Sequence, residues 1–198
     1  MMKRCLGMFL AANLLLTGCV GYTLVKGGQK LELGQGLSVK PPRDWNRRTD
    51  GKHEVWTLDG PRLQYILFVK GIEDGGRIFS AKASRRGASG KDTLPKFRKG
   101  MNLLEVGELF VASLARRGAQ KIITAGFAPA EFGGKDGFRF TFTYRTTAGL
   151  NMRGIAAGAL LGDKLFMVIY NGTEEFFFDR SKGDFEKILA SLTFGPGS

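Results

Sequence analysis

Histidine and cysteine are almost missing from this chain of 198 residues. His53 is the only histidine, and both cysteines, Cys5 and Cys19, fall within the first 19 positions. With no cysteine after residue 19, a disulfide framework is excluded. Zinc sites of the Cys/His kind are excluded with it, so neither metal nor cofactor is expected. Long apolar runs are missing as well. The stretch Leu6 to Leu16 is eleven residues interrupted by Gly7 and Asn13, whereas a spanning helix needs about 20 apolar residues. What the chain does have is phenylalanine, sixteen against four tyrosines and two tryptophans. An aromatic core of that kind should suffice at this length without disulfides. The 29 glycines are scattered without a triplet period, which excludes collagen.

The amino terminus reads as an address. Lys3 and Arg4 precede the short apolar stretch, in the manner of a signal peptide. The stretch ends in Leu16-Thr17-Gly18-Cys19, which resembles the lipobox of bacterial lipoproteins. That resemblance implies cleavage before Cys19 and lipid on its thiol. One acyl chain holds a protein only marginally, at roughly 0.8 kcal/mol per buried methylene, so two or three chains are needed for lasting attachment. Val20 rather than Asp follows the cysteine. In a Gram-negative host this implies an outer-membrane anchor facing the periplasm. The expected organisation is a signal peptide over 1–18, a lipidated tether with short edge strands over 19–36, and a globular domain over 37–196.

Along the mature chain, Leu37 to Lys40 reads as a strand stopped by Pro41-Pro42, with Trp45 just beyond. Glu54 to Leu58 is a second strand. Leu63 to Lys70 is a third, apolar enough for burial on both faces. Residues 82–100, rich in basic residues and glycine, read as a long exposed loop. Asn102 and Glu105 have the spacing of a capping box, followed by Leu103, Val106, Phe110 and Leu114 on one helical face that Gly118 ends. Lys121 to Phe127 is the next strand. Phe138, Phe140, Phe142 and Tyr144 then alternate with Arg139, Thr141, Thr143 and Arg145, the pattern of a half-buried strand. Asn151 to Leu161 and Lys164 to Tyr170 form a hairpin across Gly162-Asp163. Asp184 to Leu192 is a closing helix. Segregated strands and helices argue for an α+β arrangement.

The strand running into Pro41-Pro42 and Trp45 resembles the opening of PsbP-like domains. The mid-chain helix ending near Arg116-Arg117-Gly118-Ala119 and the closing Phe185-Glu186-Lys187-Ile188-Leu189-Ala190-Ser191-Leu192-Thr193-Phe194 resemble that family too, including its bacterial DcrB-type members. The resemblance covers roughly residues 37 to 194. It implies a twisted antiparallel β-sheet with helices packed on both faces, an α/β/α sandwich, and a binding or assembly role rather than catalysis. Because the shared residues are packing residues, it transfers no site.

Motifs for chemistry fail on inspection. No G-x-S-x-G elbow occurs, and His53 has no nucleophile grouped with it, so it reads as a solvated turn residue. Gly87 to Thr93 looks like a phosphate loop, but Arg85 stands where the first glycine belongs and Asp92 follows Lys91. Gly34-Gln35-Gly36 lacks the third glycine of a dinucleotide fingerprint, since Val39 is there. Gly154, Gly158 and Gly162 repeat every four residues. Arg153 and Asp163 bracket them too closely for a membrane span. They read instead as a strand that a helix or neighbouring backbone approaches closely. Glu73-Asp74 and Glu174-Glu175 read as solvated charge. Of Phe176-Phe177-Phe178, two are expected buried and one at a seam.

Charge is the one functional lead. Residues 82–100 hold seven basic residues (Lys82, Arg85, Arg86, Lys91, Lys96, Arg98 and Lys99) against one acid, Asp92. That local excess of +6 is more than half of the +10 carried by residues 19–198. It points to an anionic envelope component or an acidic protein as partner, with solvated loop charge as the bland alternative. Nucleic acid is not expected behind a secretory signal. The reading is therefore a membrane-attached, non-enzymatic binding or assembly module. Its rivals are an envelope enzyme with scattered site residues and a small-molecule carrier using a sheet–helix pocket. Convergent carboxylates in a deep pocket would mark the enzyme, a dry aromatic pocket the carrier.

Overall fold

The structure, a computed structural model, describes residues 21–80 and 94–195. Cys5, Cys19, Lys82, Arg85, Arg86, Lys91 and the stretch Gly87 to Thr93 lie outside the described residues. In chain order the strands are β1 (Thr23–Val25), β2 (Leu31–Gly34), β3 (Leu37–Val39), β4 (Trp45–Asp50), β5 (His53–Thr57) and β6 (Gln64–Ile72). After them come helix α1 (Leu103–Arg116), then β7 (Gln120–Phe132), β8 (Lys135–Arg145), β9 (Asn151–Leu161) and β10 (Lys164–Thr173). Helix α2 (Phe177–Ala190) and β11 (Thr193–Phe194) close the chain. An 8-stranded sheet runs β1-β4-β5-β6-β10-β9-β8-β7, with antiparallel pairing throughout. A 3-stranded sheet runs β11-β3-β2.

The alternation in β8 sets one face of the large sheet. Phe138, Phe140 and Phe142 are buried there under α1, whose Val106, Leu109, Phe110 and Leu114 face them. Phe110 meets Phe142 and Phe140 edge-on at 4.8 and 5.2 Å between ring centroids, a favoured aromatic geometry. Ile78, Phe79 and Phe97 complete this core. On the opposite face, Trp45, Trp56, Phe68 and Tyr170 pack beneath Phe178, Phe185 and Ile188 of α2 and Leu33, Leu37 and Val39 of the small sheet. Helices thus cover both faces. The sandwich expected from the sequence is the one observed, and β6 is buried on both sides.

Both halves of the capping box on α1 form. Asn102 Oδ1 accepts from the Glu105 amide at 3.0 Å, and the Asn102 amide donates to Glu105 Oε2 at 2.7 Å. Gly118, at φ +91°, ends the helix in a conformation that an L side chain adopts only with strain. At β9, a Cβ on Gly154 would fall 2.1 Å from the Phe142 ring, and one on Gly158 2.4 Å from the Phe166 carbonyl. The small residues there admit aromatic rings and a neighbouring strand's backbone, the close approach expected of them.

Several expectations need correction. Strand β4 forms at Trp45–Asp50, where the sequence reading assigns no element. It pairs on both sides, with β1 and β5, so backbone partners compensate for its polar sequence. Strand β7 extends to Phe132, twice broken in register against β8. The helix expected over 184–192 begins at Phe177, because Phe178 and Ser181 are also buried against the sheet. Of the three consecutive phenylalanines only Phe178 is buried; Phe177 is half-buried and Phe176 exposed. The stretch read as part of a long exposed loop is anchored at its end. Phe97 is buried, and its backbone pairs with Gly75 and Gly76 at 2.9 and 2.7 Å. In the segment before residue 37, Val25 and Leu33 are buried in the core, so its two edge strands are built into the domain.

Candidate functional site

His53 opens β5 rather than sitting in a solvated turn. Its Nε2–H donates to the Arg77 carbonyl at 2.8 Å, and burial pushes its pKa below the usual value despite nearby Asp50. Ser80 Oγ donates to Asp50 Oδ2 at 2.7 Å. A serine, an aspartate and a histidine therefore lie close together, yet not as a nucleophilic relay. The serine is bonded to the acid instead of the imidazole, and the ring nitrogen is engaged by a carbonyl.

Glu54, adjacent in sequence, has a different fate. It is buried beside buried Lys70, with Oε2 at 3.2 Å from Lys70 Nζ. Its other oxygen accepts from Trp56 Nε1 at 2.7 Å and faces Arg47 at 3.7 Å. Both carboxylate oxygens are occupied, which makes this a structural cluster at the edge of the α2-side core. The expected acidic pairs are ordinary surface charge. Glu73 lies between Lys52 and Lys164 at 3.2 and 3.3 Å, which hold its pKa below the usual carboxylate range. Glu174 and Glu175 are exposed. Among the described residues no group of His, Cys, Asp and Glu is placed to hold a metal ion.

Of the basic segment, the described members Lys96, Arg98 and Lys99 are exposed. Lys99 Nζ meets Asp163 at 2.6 Å and its amide donates to Asp74 at 3.0 Å, whereas Lys96 and Arg98 form no ion pair among the described residues. The backbone pairing of Phe97 with Gly75 and Gly76 seats this end of the segment beside the β6 exit.

A cleft of about 260 Å³, whose lining residues the sequence did not single out as a site, opens past the last turn of α1. Leu114, Arg117, Gly118 and Ala119 form one wall. Pro61, Arg62 and Tyr65, around the start of β6, form another. Tyr144, the turn over 146–150, Met152 and Asn171 close it from β8, β9 and β10. Tyr65 and Asn171 share this face because each lies one residue out of phase with the residues buried under α2. The Asn171 amide donates to the Tyr144 hydroxyl at 2.9 Å, while its carbonyl oxygen is buried without a hydrogen-bond partner. Burial raises the pKa of both Tyr65 and Tyr144, so the phenols stay protonated. The lining contains two charged residues, Arg62 and Arg117, and no carboxylate. Arg117 lies over the Phe79 ring at 4.9 Å.

This layering, an antiparallel sheet between helices, matches a PsbP-like sandwich arrangement. The chain is similar in structure to cyanobacterial PsbP from Synechocystis, with a TM-score of 0.50 and 15% identity over 96% of this chain and 98% of that one. At that identity the likeness shows the fold alone. A structure from Bacteroides thetaiotaomicron matches at TM-score 0.48 and 13% identity over 86% of this chain, which spans about half (49%) of that one. LpqN, involved in cell envelope biogenesis of Mycobacterium tuberculosis, matches at 0.39 and 10% identity over 91% and 88% of the two chains. No family model and no curated protein matches the sequence.

Proposed function

We propose that this protein is a lipid-anchored component of the cell envelope, held through Cys19, whose domain works by binding an anionic partner and not by catalysis. One observation carries the reading: the excess of +6 over residues 82–100, behind a lipobox-like signal. Of that segment, Lys96 and Arg98 are exposed and without a carboxylate partner among the described residues. Each basic side chain near an anionic surface contributes on the order of 1 kcal/mol, fading over a Debye length of about 10 Å at 0.1 M salt.

Two measurements test this. Cys19→Ala should abolish incorporation of labelled palmitate; unchanged labelling overturns the anchor. A form beginning after Cys19 should bind vesicles containing phosphatidylglycerol at low salt and release them as salt rises. Replacing Arg85, Arg86, Lys96 and Arg98 by Gln should weaken that binding at least tenfold. Equal binding by the variant removes the segment's role.

The cleft supports a second reading, a small-molecule carrier, because it lies between a helix and the sheet and has Tyr65, Tyr144, Leu114 and Met152 in its lining beside the polar residues. Its lining holds no carboxylate, the mark that would have favoured the enzyme.

A further inference from the structure

The cleft at the end of α1 has a chemistry of its own. Its volume, about 260 Å³, suits one small molecule and not a polymer segment. Leu114, Met152 and Leu150 give it an apolar side. Arg62 and Arg117 are both exposed, and neither is in an ion pair among the described residues. Arg145, at the end of β8 next to the lining, is likewise spent only on the Gly149 carbonyl at 3.3 Å. The nearby Asp59 is already paired with Arg180 at 3.1 Å. A guanidinium presents several N–H donors in a planar fork that matches carboxylate or phosphate oxygens.

One field opposes an anion here, the carbonyl end of α1, worth about half a charge. Those carbonyls are largely engaged, since the Arg117, Gly118 and Ala119 amides donate to Leu114 and Ala115. Two full positive charges outweigh what remains. Asn171 adds an independent mark. It is 1% exposed, and its carbonyl oxygen has no hydrogen-bond partner while its amide nitrogen donates to the Tyr144 hydroxyl. A buried polar atom left bare costs on the order of 1–3 kcal/mol, so a group arriving in the cleft that bonds to it is favoured.

We propose that this cleft binds a small amphiphilic organic anion, with its carboxylate or phosphate held by Arg62 and Arg117 and its apolar part against Leu114 and Met152. The bare Asn171 carbonyl oxygen, beside the Tyr144 hydroxyl, accepts from a hydroxyl or N–H of the ligand or from a water held with it, while the anionic group itself is left to the two guanidinium groups. The proposal is independent of the Cys19 anchor and of the basic segment, and vesicle binding can fail while it stands.

The test uses the full chain in neutral detergent, titrated calorimetrically with phenyl phosphate, benzoate, inorganic phosphate and the uncharged benzyl alcohol. Phenyl phosphate or benzoate should saturate below about 10 mM, at least tenfold more tightly than benzyl alcohol and than inorganic phosphate. The stronger of the two names the anion class. The double substitution Arg62→Gln and Arg117→Gln should remove this preference for charge. Arg62 is exposed and Arg117 gives up only its place over the Phe79 ring, a weak contact at an exposed site, so the variant stays folded, which its melting transition checks. In wild type, the Asn171 side-chain amide resonances should move on titration, which reads the site without any variant. The proposal is overturned if benzyl alcohol binds as tightly as the anions, if the double variant binds them equally well, or if the Asn171 resonances stay still at saturation.

Discussion

Tyr170 and Asn171 are neighbours on β10 and meet opposite fates, which summarise the two faces of the large sheet. On the Tyr170 side a second sheet and α2 close over Trp45 and Trp56. The Tyr170 hydroxyl lies within 2.8 and 2.7 Å of the Phe177 and Phe178 carbonyls in the first turn of α2. On the Asn171 side α1 is the one helix across the sheet among the described residues, and past its last turn the surface opens as the cleft. The helices differ in the same sense. A local capping box holds α1, whereas α2 has no side-chain cap at Phe176 and is positioned by packing and by the Arg139–Glu186 pair. Closure of a sheet face takes more than one covering element. Where one ends early, polar side chains from separate strands are left facing a small open volume.

The largest expected effects break the closed side. Phe185→Ala should cost about 3–5 kcal/mol, because its fully buried ring stacks on Tyr170 at 5.2 Å and its removal leaves a void in the core. Leu114→Ala, at the lip of the cleft, should fall near 2 kcal/mol, since water enters the space it leaves. Chemical denaturation of the two variants measures the contrast, and equal losses would erase it. Glu54→Ala strands Lys70 inside the protein and should cost about 3 kcal/mol or more. The paired change Glu54→Leu with Lys70→Met should recover most of that loss.

Smaller effects separate the helices. Asn102→Ala should cost about 1 kcal/mol through loss of the capping box. Alanine at Phe176, the corresponding position of α2, removes no side-chain cap and should change denaturation midpoints little. The least effect concerns His53. Its folded pKa lies below the unfolded value of about 6.5, so the unfolded chain takes up a proton first as pH falls. Stability should therefore be fullest above pH 6.5 and decline as pH drops from there toward the folded pKa. Melting curves across that window should flatten for His53→Gln, and an unchanged slope would show that another group titrates there.

Local signals carried much of the architecture. The alternation in β8 and the spacing of Asn102 and Glu105 depend on neighbours along the chain, so the residues themselves disclose a buried face and a helix start. Strand β4 was not legible, because Asn46, Arg47 and Arg48 give no alternation and the strand exists through backbone pairing with β1 and β5. The small sheet was hidden for a similar reason. Its β11 partners β3 from about 155 residues away, with Ser38 and Thr193 hydroxyls meeting at 2.9 Å.

The chain alone determined the class of the protein: an α+β domain without disulfides, with an aromatic core and a lipobox-like start. Composition, periodicity and short spacing are properties of neighbouring residues, and they survive without a fold. Tertiary structure alone decided the cleft. Tyr65, Arg117, Tyr144 and Asn171 have no common spacing, and each by itself is an ordinary strand or helix-end residue. They meet because β6, β8 and β10 lie together in the sheet and α1 stops just short of covering their ends, leaving, among the described residues, two arginines without carboxylates and one buried amide oxygen without a partner.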